Sequence, residues 1–457
     1  MSRNDVMAST NTKVVDDYSL SRVPEDGKNP LWKVVMVRLG AISCLPILMV
    51  GAQIGYGLTF WQGFFAVFVG SILLQVVGWA VGTIAAKEGL STSLLTRWTG
   101  FGKFGSSLIG LIIAITCFGW FGIQNSVFAE GLMVASGMFN LQVWSVIAGI
   151  VITLIVVFGF RFMSYTANIF LPLFAIGVFY AFYKMLGGHN IGVLMTEPAP
   201  GAALTMGAAI TVVAGGFILG AVITPDMTRF LKSGREVFIA VLISTFVGEL
   251  VFYTLGSLMA HAQNTADVAA IMYGLSGALG LLLVVSSTIK INDVNLYVAS
   301  LGITNFFALT FKRQFNRGLV TLFLGVIGTI LSVAGILNHF VTFLTILGVT
   351  IPPIAGIAVV DYFILKRSRA ELDESREKGA LPESVEIWNP ISIITWVLSS
   401  LFGYLVTSIG IPAINSLVAS AILYYVLMKI FDKKLKNAAA VHGSKEEMGD
   451  RKYASQS

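Results

Sequence analysis

Apolar residues run in blocks of about twenty along most of this chain, separated by short polar connections, from Val34 to near Ile430. A helix rises about 1.5 Å per residue and the hydrocarbon core of a bilayer is about 30 Å thick, so each block is long enough to cross a membrane. Twelve blocks qualify, at roughly 34–58, 63–86, 105–134, 141–160, 164–184, 203–224, 236–260, 271–299, 318–337, 341–365, 389–409 and 411–431. The alternating ten-residue strands of a closed barrel, the other spanning solution, are absent from the pattern. The chain therefore reads as an all-α polytopic membrane protein of twelve transmembrane helices over 33–432. A disordered tail is expected at 1–32 and a second tail at 433–457.

Composition removes the competing classes. Charged residues make up 12% of the 457 and hydrophobic ones 56%, against roughly 25% charged in a soluble domain. The first thirty residues have no apolar core and no cleavage site, which excludes a signal peptide. Cys44 and Cys117 lie inside apolar blocks, so neither a disulfide framework nor a thiolate metal site is expected. All four histidines fall in connections, at helix ends or in the tail, and no HExxH, GxSxG or cysteine–histidine pair occurs within a span. An enzyme is excluded on this reading, and no cofactor is expected. A channel is disfavoured because no ring-forming filter motif appears.

The net charge of +6 is distributed by side. Lys87, Lys103, Arg161, Arg229, Arg235, Arg313 and Arg367 fall in alternate connections, while the opposite ones hold little beyond Lys184. By the positive-inside rule both termini are cytoplasmic. The excess charge marks topology and contact with the lipid bilayer, not nucleic acid.

Interrupted helices near the bilayer midplane point to a transport site. Span 1 reads RLGAISCLPILMVGAQIGYG, in which Pro46 removes a backbone donor and frees carbonyls near Ile42 and Ser43. Span 6 reads TVVAGGFILGAV, and Gly215, Gly216 and Gly220 are expected to let the backbone unwind. Spans 1 and 6 each open a set of five, which fits a 5+5 inverted repeat followed by two extra helices. Pro352-Pro353 in span 10 predicts a bend, either a hinge or a static kink, and Pro46, Pro352 and Pro353 are the gate or hinge candidates.

Polar groups inside the membrane cost free energy unless paired, and so mark pathways. Span 3 places Trp120 and Gln124 four apart on one helical face. Phe217 follows Gly216 in span 6, and span 8 holds Lys290, Asn292, Asp293 and Asn295 within two turns. An indole and a phenyl ring can sandwich a flat heterocycle while amides read its edge, each stacked face being worth about 1–3 kcal/mol. Arg38 is expected to snorkel to the interface, Glu249 to pair structurally, and Asp361 to pair with nearby cations.

At these residues the chain resembles the nucleobase:cation symporter-1 family, in its cytosine and purine permease branch, from about Leu39 to Tyr425. The motifs are GWFG at 119–122, GGFI…TPDMTRF at 215–230, INDVNLYVASLG at 291–302 and IPPIAGIAVVDYF at 351–363. The resemblance implies the inverted-repeat fold of the sodium-coupled amino-acid transporters, with substrate between spans 1, 3, 6 and 8. It implies Trp120 and Phe217 on the two faces of the ring, Asn292 hydrogen-bonding it, and Gly216 supplying backbone groups where cytosine permeases have serine. Gln124 matches an amide of the hydantoin-carrying relatives, and Cys117 stands where cytosine permeases place a glutamine. Sodium-coupled members bind the ion with carbonyls matching Gly40 and Ser43 or Cys44, plus two hydroxyls of span 8. Here Lys290 and Ile291 occupy the hydroxyl positions, with Asp293 close by. The expectation is a permease importing a nucleobase, proton-coupled through Lys290 or Asp293, or else a facilitator. Hydantoin, allantoin and vitamin-like heterocycles are the alternative substrates.

Overall fold

A computed structural model of the protein describes residues 18, 21–42, 44–158, 176–185, 187–311, 313 and 315–431; the side chains of residues 158, 286, 290, 308 and 309 also lie outside the description. The regular structure described is helical. Span 1 is a broken pair, α1 (Leu31–Ile42) and α2 (Leu45–Gly57). It is followed by α3 (Phe60–Glu88), α4 (Gly102–Ser136) and α5 (Leu141–Phe158). Beyond the partly described stretch lie α6 (Met206–Val222), α7 (Gly234–Gln263), α8 (Ala278–Phe311) and α9 (Arg317–Val333). The chain closes with α10 (Ile336–Leu365), a surface helix α11 (Arg369–Glu377), α12 (Pro390–Leu405) and α13 (Pro412–Phe431).

Seven of these helices are long and apolar enough to cross a membrane, and α1 with α2 form one further bent span. Shorter apolar helices α5, α9 and α12 fill the remaining expected positions except the fifth span, of which only residues from 176 on are described. The outward faces are apolar, as lipid contact requires. On α9, Leu319, Phe323, Val326 and Ile330 form an exposed stripe at helical spacing.

Span 1 breaks where proline predicts. Pro46 sits in the first turn of α2 and has no N–H for the Ile42 carbonyl, which accepts instead from Cys44 N–H at 2.7 Å. Cys44 is extended (φ −146°, ψ 159°), and the two halves meet at 58°.

Span 6 corrects the sequence reading. α6 runs unbroken through Gly215, Gly216 and Gly220, so no unwinding occurs there. A Cβ on Gly215 would lie 1.9 Å from the Leu344 carbonyl oxygen, and one on Gly216 2.9 Å from the Tyr253 hydroxyl. These glycines let α10 and α7 approach the α6 backbone; they do not loosen it. The Pro352-Pro353 pair likewise leaves α10 one span. The ladder is interrupted, with Ile354 N–H turning to Ile351 O at 3.1 Å, and the Thr350 carbonyl accepts from Trp396 Nε1 of α12 at 2.7 Å. Span 8 is also shifted: a separate helix at Val268–Ser276 ends at Gly277, whose φ of 59° favours glycine, and α8 begins after it.

The helices pack as two groups. α2 packs on α6 and α7, and α3 packs on the same two helices; α4, α5, α8 and α9 contact one another, and α4 with α8 make the most extensive contact. α10 lies against α6, and α12 against α10.

The basic connections gather at one end. Glu88, fully buried at the end of α3, accepts from Arg22 Nη1 (3.1 Å), Arg376 Nη1 (2.8 Å) and the Tyr362 hydroxyl (2.5 Å). Burial lowers the Arg22 pKa, opposed by the hydrogen bond and charge of Glu88. Lys28 Nζ donates to the carbonyls of Ala86, Arg229 and Leu231 at 2.9–3.1 Å. The segment from residue 21 on is thus packed across the ends of α3 and α6, and the expected disordered tail of 1–32 extends too far. Asp361 finds its cation in Arg367 at 3.5 Å and accepts from Tyr424 Oη at 2.6 Å.

Removing one partner of a buried ion pair leaves an uncompensated charge and costs about 3–5 kcal/mol. Glu88→Ala should therefore lower the thermal denaturation midpoint of the detergent-purified protein clearly. Replacing Glu374, whose pair with Lys378 is solvent-exposed, should leave it unchanged.

Candidate functional site

The break in span 1 opens the α2 group towards the α4 group, and a cavity of about 210 Å³ lies between them. α1, α2 and their junction supply Arg38, Cys44 and Pro46; α4 supplies Cys117 and Trp120. Gly216 and Phe217 come from α6, and Ile291 and Asn295 from α8. Trp120 is 7% exposed, and its indole is held edge-on by Phe343 (5.4 Å, 87°) and Phe340 (5.9 Å, 72°) of α10. Aromatic rings thus reach the cavity from α4 and α6, and polar groups are few. This arrangement can bind a flat solute by its faces; it presents no nucleophile paired with a base. Among the described residues no group of three His, Cys, Asp or Glu side chains is placed to hold a metal ion.

Several expected residues lie elsewhere. Asn292 is fully buried and its Nδ2 donates to the Phe121 carbonyl at 3.2 Å, so this amide faces α4. It does not line the cavity; Asn295, three residues on, does. Gln124 is fully buried one turn beyond Trp120, and among the described residues neither its oxygen nor its nitrogen has a hydrogen-bond partner. Asp293 is buried and Gly40 lies within α1, neither of them lining the cavity. Ser43 and the Lys290 side chain lie outside the described residues. Thr288, beside the expected cation position, donates to the Val284 and Val285 carbonyls of its own helix.

Arg38 does not snorkel. It is 4% exposed, lines the cavity, and donates through Nε to Ser244 Oγ and through Nη1 to Thr224 Oγ1, each at 3.1 Å. These two hydroxyls could not be foreseen as partners, because they lie on other spans far along the chain. Glu249 ends a π-helical stretch of α7 (Ile243–Glu249), is 1% exposed, and among the described residues neither of its oxygens has a hydrogen-bond partner.

A second cavity of about 340 Å³ lies beyond the aromatic cluster, with Gln53, Tyr56, Glu130, Asp267, Asn338 and Phe340 on its wall. Phe340 therefore borders this cavity while packing on Trp120 of the first. The ring pair stands between the two spaces.

The whole described helical body matches known proteins. Residues 23–428 match the family model described as permease for cytosine/purines, uracil, thiamine, allantoin. The cytosine permease of Escherichia coli (strain K12) is 27% identical over 428 residues, 93% of this chain and 97% of that protein. The hydantoin permease of Microbacterium maritypicum is 25% identical over 361 residues, 73% of each chain. In fold, the chain is similar to the inward-facing conformation of Mhp1, with a TM-score of 0.74 and 18% identity over 91% of this chain and 94% of that one. It is similar as well to Mhp1, a nucleobase-cation-symport-1 family transporter, in a closed conformation with bromovinylhydantoin bound (TM-score 0.70, 19% identity, 91% and 96% covered). The protein is thus a multi-pass membrane transporter of nucleobase type and not an enzyme, and the chain belongs to the cytosine and purine permease family of nucleobase:cation symporters.

Proposed function

We propose that this protein is a secondary active carrier that imports a flat nitrogen heterocycle, a nucleobase such as cytosine or a purine, with protons and not sodium as the coupling ion. The observation that carries this reading is the meeting of Trp120 from α4 and Gly216-Phe217 from α6 on one cavity at the break of span 1. Stacking on aromatic faces is worth about 1–3 kcal/mol per base and tolerates different rings. The cytosine permease relative supports the substrate class. The hydantoin permease relative, together with Gln124, supports hydantoin or allantoin as the second choice.

The architecture proposed is twelve spans, as two inverted repeats of five and two accessory helices, with both termini cytoplasmic and tails at the two ends. Its support is the two packing groups, spans 1, 2, 6 and 7 against spans 3, 4, 8 and 9. The gathering of basic connections around Glu88 and Lys28 supports the orientation. Alternating access then consists of the first group rocking against the second around the cavity. Trp120 and Phe340 close the path to the second cavity, with the interrupted ladder at Pro352-Pro353 as hinge and Pro46 fixing the angle of α2.

For the ion, Lys290 stands in the sequence where sodium-coupled relatives have a hydroxyl, and an ammonium would take the place of the ion. Ile291 offers no side-chain oxygen, and Thr288 is committed to its own helix. Coupling then passes to a proton on a titrating Lys290, or, where the lysine stays charged, to Asp293 or to no ion at all, as in a facilitator. One co-transported charge yields about 2.3 kcal/mol per 100 mV. At roughly 1.4 kcal/mol per tenfold, that sustains about fortyfold accumulation.

Uptake of labelled cytosine, adenine, hypoxanthine and allantoin should be saturable and show counter-transport. It should persist when choline replaces sodium and collapse with a protonophore; strong sodium dependence contradicts the assignment of Lys290. Trp120→Ala should abolish uptake while the protein still reaches the membrane, and normal transport by that variant removes the stacking site. Among the described residues Gln124 has no hydrogen bond to lose, so Gln124→Leu should leave thermal stability equal or higher. Uptake should nevertheless fall, because the amide is held for the solute; unimpaired uptake assigns Gln124 to packing.

A further inference from the structure

Glu249 is a carboxyl that the fold buries and leaves without a partner. It is 1% exposed, and among the described residues neither oxygen has a hydrogen-bond partner. The structural pairing expected of it is not formed. The Arg38 guanidinium, whose charge it feels, donates instead to the neutral hydroxyls of Ser244 and Thr224, each at 3.1 Å. A buried ion pair kept for stability needs close, hydrogen-bonded geometry, because only then is the desolvation of both charges repaid. An ionised carboxylate held here would be costly, whereas the neutral acid has no charge to desolvate.

Its position ties it to the solute path. Glu249 closes the π-helical stretch of α7, an irregularity frequent at functional sites. That stretch packs on α1 just before the break in span 1: a Cβ on Gly248 would lie 3.0 Å from Cγ2 of Ile42, which lines the cavity. Arg38 and Cys44 of the cavity wall, and Tyr253 one turn further along α7, are the ionisable groups that interact with it through space. Lys33, the other cation of α1, is turned to Asn29. α3 packs on the same stretch, with Phe68 against Phe246, but its ionisable residues Lys87 and Glu88 lie in its last turn. α6 has none, and α2 has only Tyr56 at its other end.

We propose that Glu249 is a proton-binding site of the transport cycle, with Arg38 as the counter-charge it acquires when the proton leaves. The step is a dissociation: the carboxyl O–H bond breaks, the proton passes to water entering from the cytoplasmic side, and the carboxylate draws a guanidinium N–H away from Ser244 or Thr224. That exchange of partners alters what ties α1 to α6 and α7, and so links protonation to the wall of the cavity. The proposal rests on the proton-driven carrier reading and adds to it a proton site in span 7, apart from Lys290 and Asp293.

The test is transport by the full-length protein in proteoliposomes, with whichever of labelled cytosine, adenine, hypoxanthine and allantoin the wild type takes up. With the interior one pH unit more alkaline and no membrane potential, the wild type should accumulate that base about tenfold, the ratio one proton per solute sustains. Glu249→Gln replaces the neutral acid by an uncharged group of the same shape and should bring the ratio to about one. Exchange of internal for external base moves no net proton and should persist in the variant. Tenfold accumulation by Glu249→Gln overturns the inference while leaving the carrier intact. A variant that denatures at the wild-type temperature yet has lost exchange as well assigns Glu249 another role and also overturns it. Infrared spectroscopy of the wild type at neutral pH decides the matter should the variant fail to fold. A carboxylic-acid carbonyl band that deuterium oxide shifts is expected, and its absence overturns the inference. A wild type that takes up none of the four bases, or takes one up without responding to the gradient, removes the proton-driven carrier reading itself.

Discussion

Pro46 has no N–H to offer the carbonyl four residues behind it, and the rest of the site follows from that missing hydrogen bond. In hydrocarbon a free carbonyl must find a partner within the protein. The Ile42 carbonyl finds Cys44, which draws the chain into one extended residue and turns span 1 through 58°. A continuous span would fill the space between the two packing groups. The turned span leaves a cavity there, rimmed by irregular backbone that protein, not lipid, surrounds.

The two groups are held differently, and the difference suits a carrier. Within the α2 group the backbones touch through glycine: a Cβ on Gly51 would lie 2.2 Å from the Tyr253 carbonyl oxygen, and one on Gly256 2.4 Å from that of Leu48. The α4 group is joined by side chains, among them Asn292 on the Phe121 carbonyl and Asn125 on that of Ser145. Between the groups lies the cavity, and α10 reaches α4 through Phe340 and Phe343 on Trp120. Two internally rigid bodies with a sparse interface between them can exchange one packing for another at low cost. Arg38, Thr224 and Ser244 tie three helices of the first body together, so that its half of the cavity moves as a unit.

Much of this was legible along the chain. Lipid demands about twenty apolar residues per crossing, which makes spans visible as composition. The consequence of Pro46 is covalent and local, so it too can be read directly. Gly215 and Gly216 show where such reading stops. Glycine serves both an unwound backbone and a close approach, and the choice was made by Leu344 and Tyr253, which belong to other spans. Asn292 and Asn295 sit three apart on one helix, and only the placement of α4 decides which of them meets the cavity. Arg38 lies near the start of a span, where a snorkelling cation is the ordinary outcome. Its burial depends on hydroxyls at Thr224 and Ser244 that no local pattern connects to it.

The chain contains two cysteines, and both line the proposed solute cavity. N-ethylmaleimide labelling of each, in inside-out vesicles of the Cys117→Ser and Cys44→Ser variants, reports directly on whether a solute occupies that space. The account predicts that Cys44 is modified from the cytoplasmic side and that a saturating transported base slows the modification of both thiols. Labelling that proceeds at the same rate with and without the base would place the solute elsewhere and contradict the account.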